Sequence, residues 1–353
     1  LITNDIYYYY LFSVILFFSI NILFVVNFLK QEKYKFVFTV SIIIIISIFT
    51  GIRGFNIGLD TGVYVNIFLG IDQRAIEPIF PFLAFIFNLV TEEPQYFLLL
   101  INLLINLIVL MSYKKVTINY PIAMAIFLST LLFINMNINT IRQGLAIALS
   151  FYAMVNLLNR NLKLFWLFFF FALLTHTSSI FLLGIYLIRN IQVNKKNLIL
   201  FVSIIFLLWF ITFSDILGFF KDYNEYINRV YWYFKWDILK PWTLKHVYYF
   251  VFFMVFVYII YAYKKLDFKN KFILKLYLYG IFLIFLFREE EMVVDRFFYY
   301  FFTLGILLIL ELRVLIKNKK IFFISLIFLT NIWLAKTMIL QYPNWFITKE
   351  AIR

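Results

Sequence analysis

Residues 139–158 read Asn-Thr-Ile-Arg-Gln-Gly-Leu-Ala-Ile-Ala-Leu-Ser-Phe-Tyr-Ala-Met-Val-Asn-Leu-Leu. After Arg142 the run carries no charge, and its length is the roughly 20 residues that one helical crossing of a bilayer needs. Working outward, further apolar runs lie near 6–29, 36–50, 96–112, 118–134, 164–175, 177–188, 198–213, 246–263, 272–287, 293–311 and 321–338. The chain has 353 residues, 64% of them hydrophobic, with a mean hydropathy of +0.92. A soluble domain of that length cannot hide so much apolar surface, so lipid must solvate the outside of the fold. The expected fold is all-α and polytopic. It is one integral membrane domain over 1–353, with about 12 transmembrane helices (between about 11 and 14) plus re-entrant or interfacial helices. The first span, 6–29, is long and lacks a small-residue cleavage site, so it is expected to remain in the protein.

Composition closes several routes. There is no cysteine, which excludes disulfides and thiolate chemistry, and two histidines cannot build a multi-histidine metal centre. The net charge of +14 would suggest nucleic acid in a soluble protein; membrane orientation explains it better, and no nucleic-acid partner is expected. The abundance of Phe and Tyr (48 and 25 residues) fits lipid-facing helices better than sugar-stacking platforms.

Charge sorts by side. Lys30, Lys33, Lys35, Lys114, Lys115, Arg160, Lys163, Arg189, Lys195 and Lys196 fall on one face. So do Lys264, Lys265, Lys269, Lys271, Lys275, Arg313, Lys317, Lys319 and Lys320, with only Glu32, Asp267 and Glu311 as acids. The positive-inside rule makes this face cytoplasmic and puts both termini outside. The run 79–90 would make only about 18 Å of helix against a hydrocarbon core of about 30 Å. Pro78, Pro81 and Pro94 bracket it. It reads as a re-entrant or interfacial segment within an outer loop, 51–95. The longest polar stretch, 214–245, reads as a second outer loop. There Ile227, Val230, Tyr231, Phe234 and Ile238 repeat at helical spacing, as in an amphipathic helix lying in the interface.

Against this bias, Arg53, Arg142, His176, Arg288 and Arg296 all fall at outer ends of spans. The first lies in Arg53-Gly-Phe-Asn-Ile-Gly58-Leu-Asp60-Thr61-Gly-Val-Tyr64. Glycines 51, 54, 58 and 62 there suit either tight turns against a bulky neighbour or, being mostly four apart, a helix–helix face. Asp60 and Thr61 stand where they could cap a short helix through Tyr64. Arg142 sits in the first turn of its helix, where the dipole disfavours a cation, so an anion near it would explain the placement. Gly144 and Ala148 form a small-residue step that admits a close neighbour. In Thr175-His176-Thr177-Ser178-Ser179 a serine is the expected cap of the next span, and His176 suits proton transfer or a charge-assisted bond to phosphate. Last come Arg288, a run of three glutamates, and Asp295-Arg296-Phe-Phe-Tyr299.

These four pieces, in this order, resemble the EpsG-like family of Wzy-type bacterial polysaccharide polymerases. The resemblance spans roughly 40–300, and Tyr342-Pro343 is similar to the family's tail. It implies a GT-C-like bundle in the bacterial inner (plasma) membrane whose active site faces the periplasm or exterior. It further implies a metal-independent glycosyltransferase that moves a growing glycan from undecaprenyl pyrophosphate to another lipid-linked repeat unit. O-antigen, capsule and exopolysaccharide are the product classes. The implied partners are the undecaprenyl-pyrophosphate-linked oligosaccharide, membrane lipid, a flippase and a chain-length regulator. Under that reading Arg53, Arg142, Arg288 and Arg296 hold the pyrophosphate, Gln143, Tyr64 and Tyr299 position substrate, and His176 or Asp60 serves as base beside Arg142. No cofactor is called for, because neither an Asp-x-Asp nor a Gly-Lys-Ser/Thr motif occurs. An O-antigen ligase or another GT-C transferase would share these residues. A lipid-linked oligosaccharide flippase is a third reading, but it would carry charge deep within its spans, and these spans are nearly free of charge.

Overall fold

The computed structural model describes residues 5–58, 60–71, 77–191, 268–287, 291–311, 313 and 318–346, with scattered positions between 196 and 220. The chain divides into two compact units, residues 1–182 with 312–353, and residues 183–311. Among the described residues all regular structure is helical.

In the first unit, α1 (Asp5–Val26), α2 (Glu32–Gly51) and α5 (Pro94–Val116) are apolar around most of their circumference and long enough to cross a bilayer. Two short helices, α3 (Thr61–Phe68) and α4 (Ile79–Asn88), lie between α2 and α5. Phe68, Phe80 and Phe87 surround Phe97 in the first turn of α5, with ring centroids 5.3, 5.3 and 6.2 Å away. The Asn88 amide donates to the Phe68 carbonyl at 2.8 Å. Both short helices are thus held at the start of α5.

The next crossing is broken. α6 (Tyr120–Leu128) ends where Ser129 and Thr130 turn their hydroxyls back onto the Ile126 and Phe127 carbonyls, at 2.7 Å each. The chain bends by 75° into α7 (Leu131–Ile134) and one π-helical turn (Asn135–Asn139). The serine and threonine hydroxyls re-satisfy main-chain groups that the break releases, which lets such a kink persist in an apolar setting. α8 (Ile141–Leu158) follows, with α9 (Leu162–Thr175) packed against it as a hairpin. A 3₁₀ turn (Thr177–Phe181) follows; α10 (Leu182–Ile188), after its first residue, belongs to the second unit. The last helix of the first unit, Lys319–Phe346, packs on α1 through paired amides of Asn21 and Asn331 at 3.1 and 3.2 Å.

Among the described residues five helices qualify as spans, six if the bent pair counts as one. The membrane-spanning all-α class therefore stands, and the expected number of about 12 is not reached by the described residues. The runs 198–213 and 246–263 and the loop 214–245 lie almost wholly outside the described residues.

In the second unit α11 (Phe268–Leu286) and α12 (Glu291–Glu311) form a hairpin. Gly280 and Gly305 make it close: a Cβ at either would come within 2.3 Å of Phe301 or 2.9 Å of Tyr277. Lys275 donates to the Arg189 and Ile191 carbonyls just past α10, at 2.6 and 2.8 Å, matching its charge to that helix's negative end. The final helix, α13, is Lys319–Phe346 above.

Candidate active site

The ends of the first unit differ in character. At one end Lys115 donates to Asn156 at 3.1 Å, and Asn27 donates to Asn119 at 3.3 Å. Arg142 opens α8 and Asn156 closes it, about 21 Å apart at 1.5 Å per residue. The Arg142 end therefore lies away from the lysines, in keeping with the charge bias.

Arg142 is paired. Its Nη1 lies 3.1 Å from Glu77 Oε2, with the guanidinium side chain 28% exposed and the carboxylate 9%. Glu77 Oε1 accepts from the main-chain N–H of Thr177 at 3.2 Å and from its hydroxyl at 3.3 Å. One carboxylate thus joins three distant segments: the loop before α4, the first turn of α8, and the turn after α9. Burial alone would raise the Glu77 pKa, but the Thr177 N–H, Arg142, its own N–H and His176 outweigh it and hold the group below 4.5. Sequence reasoning missed Glu77. The available signal was an acid directly before Pro78, at the head of a proline-bracketed apolar run.

His176 has extended backbone geometry and caps the 3₁₀ turn with its ring. Its Nδ1 accepts from the Ser178 N–H at 3.2 Å and lies 2.7 Å from the Ser178 hydroxyl. The expected serine cap is therefore replaced by the histidine. Occupation of Nδ1 as an acceptor assigns the neutral ring's proton to Nε2. Ser179 is buried against Ser150, 3.4 Å between hydroxyls.

Arg53 is wholly buried. Its guanidinium donates to the carbonyls of Thr50, Ile57 (3.2 Å) and Ile138 (3.3 Å) and to the Thr61 hydroxyl (3.1 Å). Burial lowers its pKa to about 10, so it stays charged at neutral pH. This cation clamps the loop after α2 to the π-helical turn. Gly58 fits beneath it: φ is +95°, and a Cβ would lie 2.5 Å from the Ile138 carbonyl. The glycine cluster divides between the two readings: Gly58 makes the tight turn, while Gly51 ends α2 against α5, where a Cβ would lie 2.4 Å from Leu99 Cα. Gly58 is in the loop, and Gly62 has nothing within 4 Å of a would-be Cβ.

Asp60 precedes α3 without a side-chain cap bond. Tyr64 is buried beside Phe80 (5.3 Å between centroids). Burial, and then the Asp60 charge, push the Tyr64 pKa up, keeping the phenol protonated. Gln143 is 6% exposed, and its Nε2 has no partner. The neighbour that Gly144 admits is the chain's own π-turn: a Cβ there would lie 2.2 Å from the Met136 carbonyl. In the second unit Arg296 and Tyr299 lie in the second and third turns of α12, half-buried and engaged with neighbours. Arg288 lies outside the described residues. Among the described residues no group of three or more metal-binding side chains occurs.

The model of the EpsG family matches residues 35–347, nearly the whole chain. The chain belongs to the EpsG family. Membership makes this a membrane polysaccharide polymerase family protein of glycosyltransferase type, and the match covers every residue of the site just described. No curated protein matches this EpsG-family chain, and no solved structure does.

Proposed function

We propose that this EpsG-family protein elongates a polysaccharide by transferring a glycan from undecaprenyl pyrophosphate to a second lipid-linked repeat unit. The transfer takes place at the outer face of the bacterial inner membrane. The observation that carries the reading is the meeting of Arg142, Glu77 and the His176 turn at the N-terminus of α8, away from the lysine-rich end. As the glycosidic bond breaks, charge develops on the pyrophosphate oxygens. Arg142 is paired through Nη1 and part-exposed, so its other N–H groups can take a phosphate while Glu77 fixes the plane of the fork. With Nδ1 taken as an acceptor, the neutral His176 ring carries its proton on Nε2, which suits it to donate to the leaving pyrophosphate better than to abstract a proton. Asp60 is then the candidate base for the acceptor hydroxyl. Arg53 serves by position, holding the loop that carries Asp60 against the π-turn. Arg296 and Arg288 stay candidates for the pyrophosphate and Tyr299 for substrate positioning on their sequence context alone, and no step calls for a metal. The bundle is read as GT-C-like, with lipid, a flippase and a chain-length regulator as partners.

The test is incubation of the protein in nanodiscs with synthetic undecaprenyl-pyrophosphate-linked repeat units. A ladder of longer lipid-linked glycans is expected. Translocation across liposomes without elongation would instead favour the flippase reading, and transfer onto a lipid A acceptor the ligase reading.

A further inference from the structure

Among the described residues of the first unit five buried amide atoms lack partners, and four of them lie on α5 and α8. Asn102 on α5 is wholly buried, and neither its Nδ2 nor its Oδ1 is hydrogen-bonded. Asn106 Oδ1, one turn along, and Gln143 Nε2 on α8 are likewise unpartnered. Helix register brings them to one level. Lys115 bonds Asn156 across a 41-residue offset, and Tyr113 packs on Phe151 at 4.9 Å, so α5 and α8 run parallel. The same offset sets Asn102 level with Gln143. Asn106 Nδ2 donates to Ser47 at 3.0 Å and to Asn137 at 2.9 Å, so α2 and the π-turn close the other sides. Met136, beside Asn137, lies against Gly144, next to Gln143.

The chemistry of the open positions identifies what fits. Two are donors (Asn102 Nδ2, Gln143 Nε2) and two are acceptors (Asn102 Oδ1, Asn106 Oδ1). A cation is held by acceptors and an anion by donors, whereas a hydroxyl group does both. Asn102 lies about 12 Å along α5 from Pro94, at 1.5 Å per residue. Bulk water does not reach a wholly buried group there, and unmade hydrogen bonds in a lipid-solvated bundle are costly. We propose that Asn102, Asn106 and Gln143 form an internal binding site for a hydroxyl-bearing ligand. Ordered water and the hydroxyl of a substrate sugar are its two sources. The site and its water source stand apart from the polymerase reading; the sugar source rests on it.

The test is radiolytic hydroxyl labelling of the full chain in nanodiscs, read by mass spectrometry. Met136, Met124 and Met154 are all buried, at 0%, 0% and 1% exposure. Water at the site should make Met136 label severalfold above the other two, and Asn102→Leu should abolish the excess. Asn102→Ser, which restores a hydroxyl, should retain it. Asn102→Leu should also lower the melting temperature, because it strands the Asn106 and Gln143 groups. Addition of a synthetic undecaprenyl-pyrophosphate-linked disaccharide separates the sources: protection of Met136 identifies the sugar hydroxyl as an occupant, and unchanged labelling leaves water. Background labelling of Met136 in the wild type, or a higher melting temperature for Asn102→Leu, overturns the proposal.

Discussion

The Arg142 guanidinium and the Glu77 carboxylate pair at 3.1 Å, and the second oxygen of the same carboxylate holds both donors of Thr177. Neither contact is replaced by water without loosening α8 from the His176 turn. Glu77→Gln keeps the shape and removes the charge; Glu77→Ala removes both. The Ala variant should lose about 1–3 kcal/mol of stability, and the Gln variant less. Both should slow glycan elongation. Thermal melting in nanodiscs beside a gel-based elongation assay checks this, and a fully active Glu77→Ala would remove the pair from the site.

Arg142→Lys tests the planar fork. Lysine retains the charge but offers one compact ammonium in place of a bidentate donor. Elongation should collapse while membrane expression and melting temperature hold. Wild-type turnover in that variant would falsify the assignment of Arg142 to the pyrophosphate.

Acid should act through Glu77. Its folded-state pKa lies below the ordinary 4.5, so the pair stabilises fully above that value and is lost as pH falls through the folded one. The stability difference between wild type and Glu77→Gln should be flat from about pH 5 to 8 and shrink below about 4.5. Melting curves over that range read it directly.

Close backbone approach gives a prediction independent of charge. A Cβ at Gly58 or Gly144 would meet the carbonyl of Ile138 at 2.5 Å or of Met136 at 2.2 Å. Gly58 additionally needs a left-handed φ. Gly58→Ala and Gly144→Ala should each destabilise measurably, whereas Gly62→Ala, with open space at its Cβ, should be silent. Equal melting temperatures for all three would contradict the packing at the π-turn.

Sidedness is measurable because the chain has no cysteine. Thr177→Cys and Asn161→Cys stand at exposed positions at opposite ends of α9. An impermeant maleimide added to intact cells should label the first and spare the second. The reverse pattern would invert the orientation inferred from the lysines.

Much of the fold was legible because lipid imposes length and apolarity together. The boundaries of α2, α5, α8 and α9 follow from where charge and proline stop the apolar runs. The bend at Ser129 and Thr130 was not legible, since its cause is a hydroxyl returning to its own main chain within an unbroken apolar run. At the site, Arg142 and His176 stood out as polar groups at span ends. Arg53 stood out for the same reason, yet its acceptors are main-chain carbonyls, which every residue has and no sequence marks. Glu77 was hidden among ordinary loop acids, because its meaning comes from Thr177, a hundred residues away.

The Arg53 clamp also constrains biogenesis. Its partner carbonyl at Ile138 lies 85 residues later in the chain. When the α2 segment leaves the ribosome, that acceptor has not been made. A guanidinium in hydrocarbon costs on the order of 2.5–3.5 kcal/mol at mid-span, and less near an end. Thr50, Ile57 and Thr61 can meet the arginine at once, but its clamp on the π-turn cannot close until α5 to α7 are inserted. That closure then marks the moment at which the nascent helices lock into a bundle.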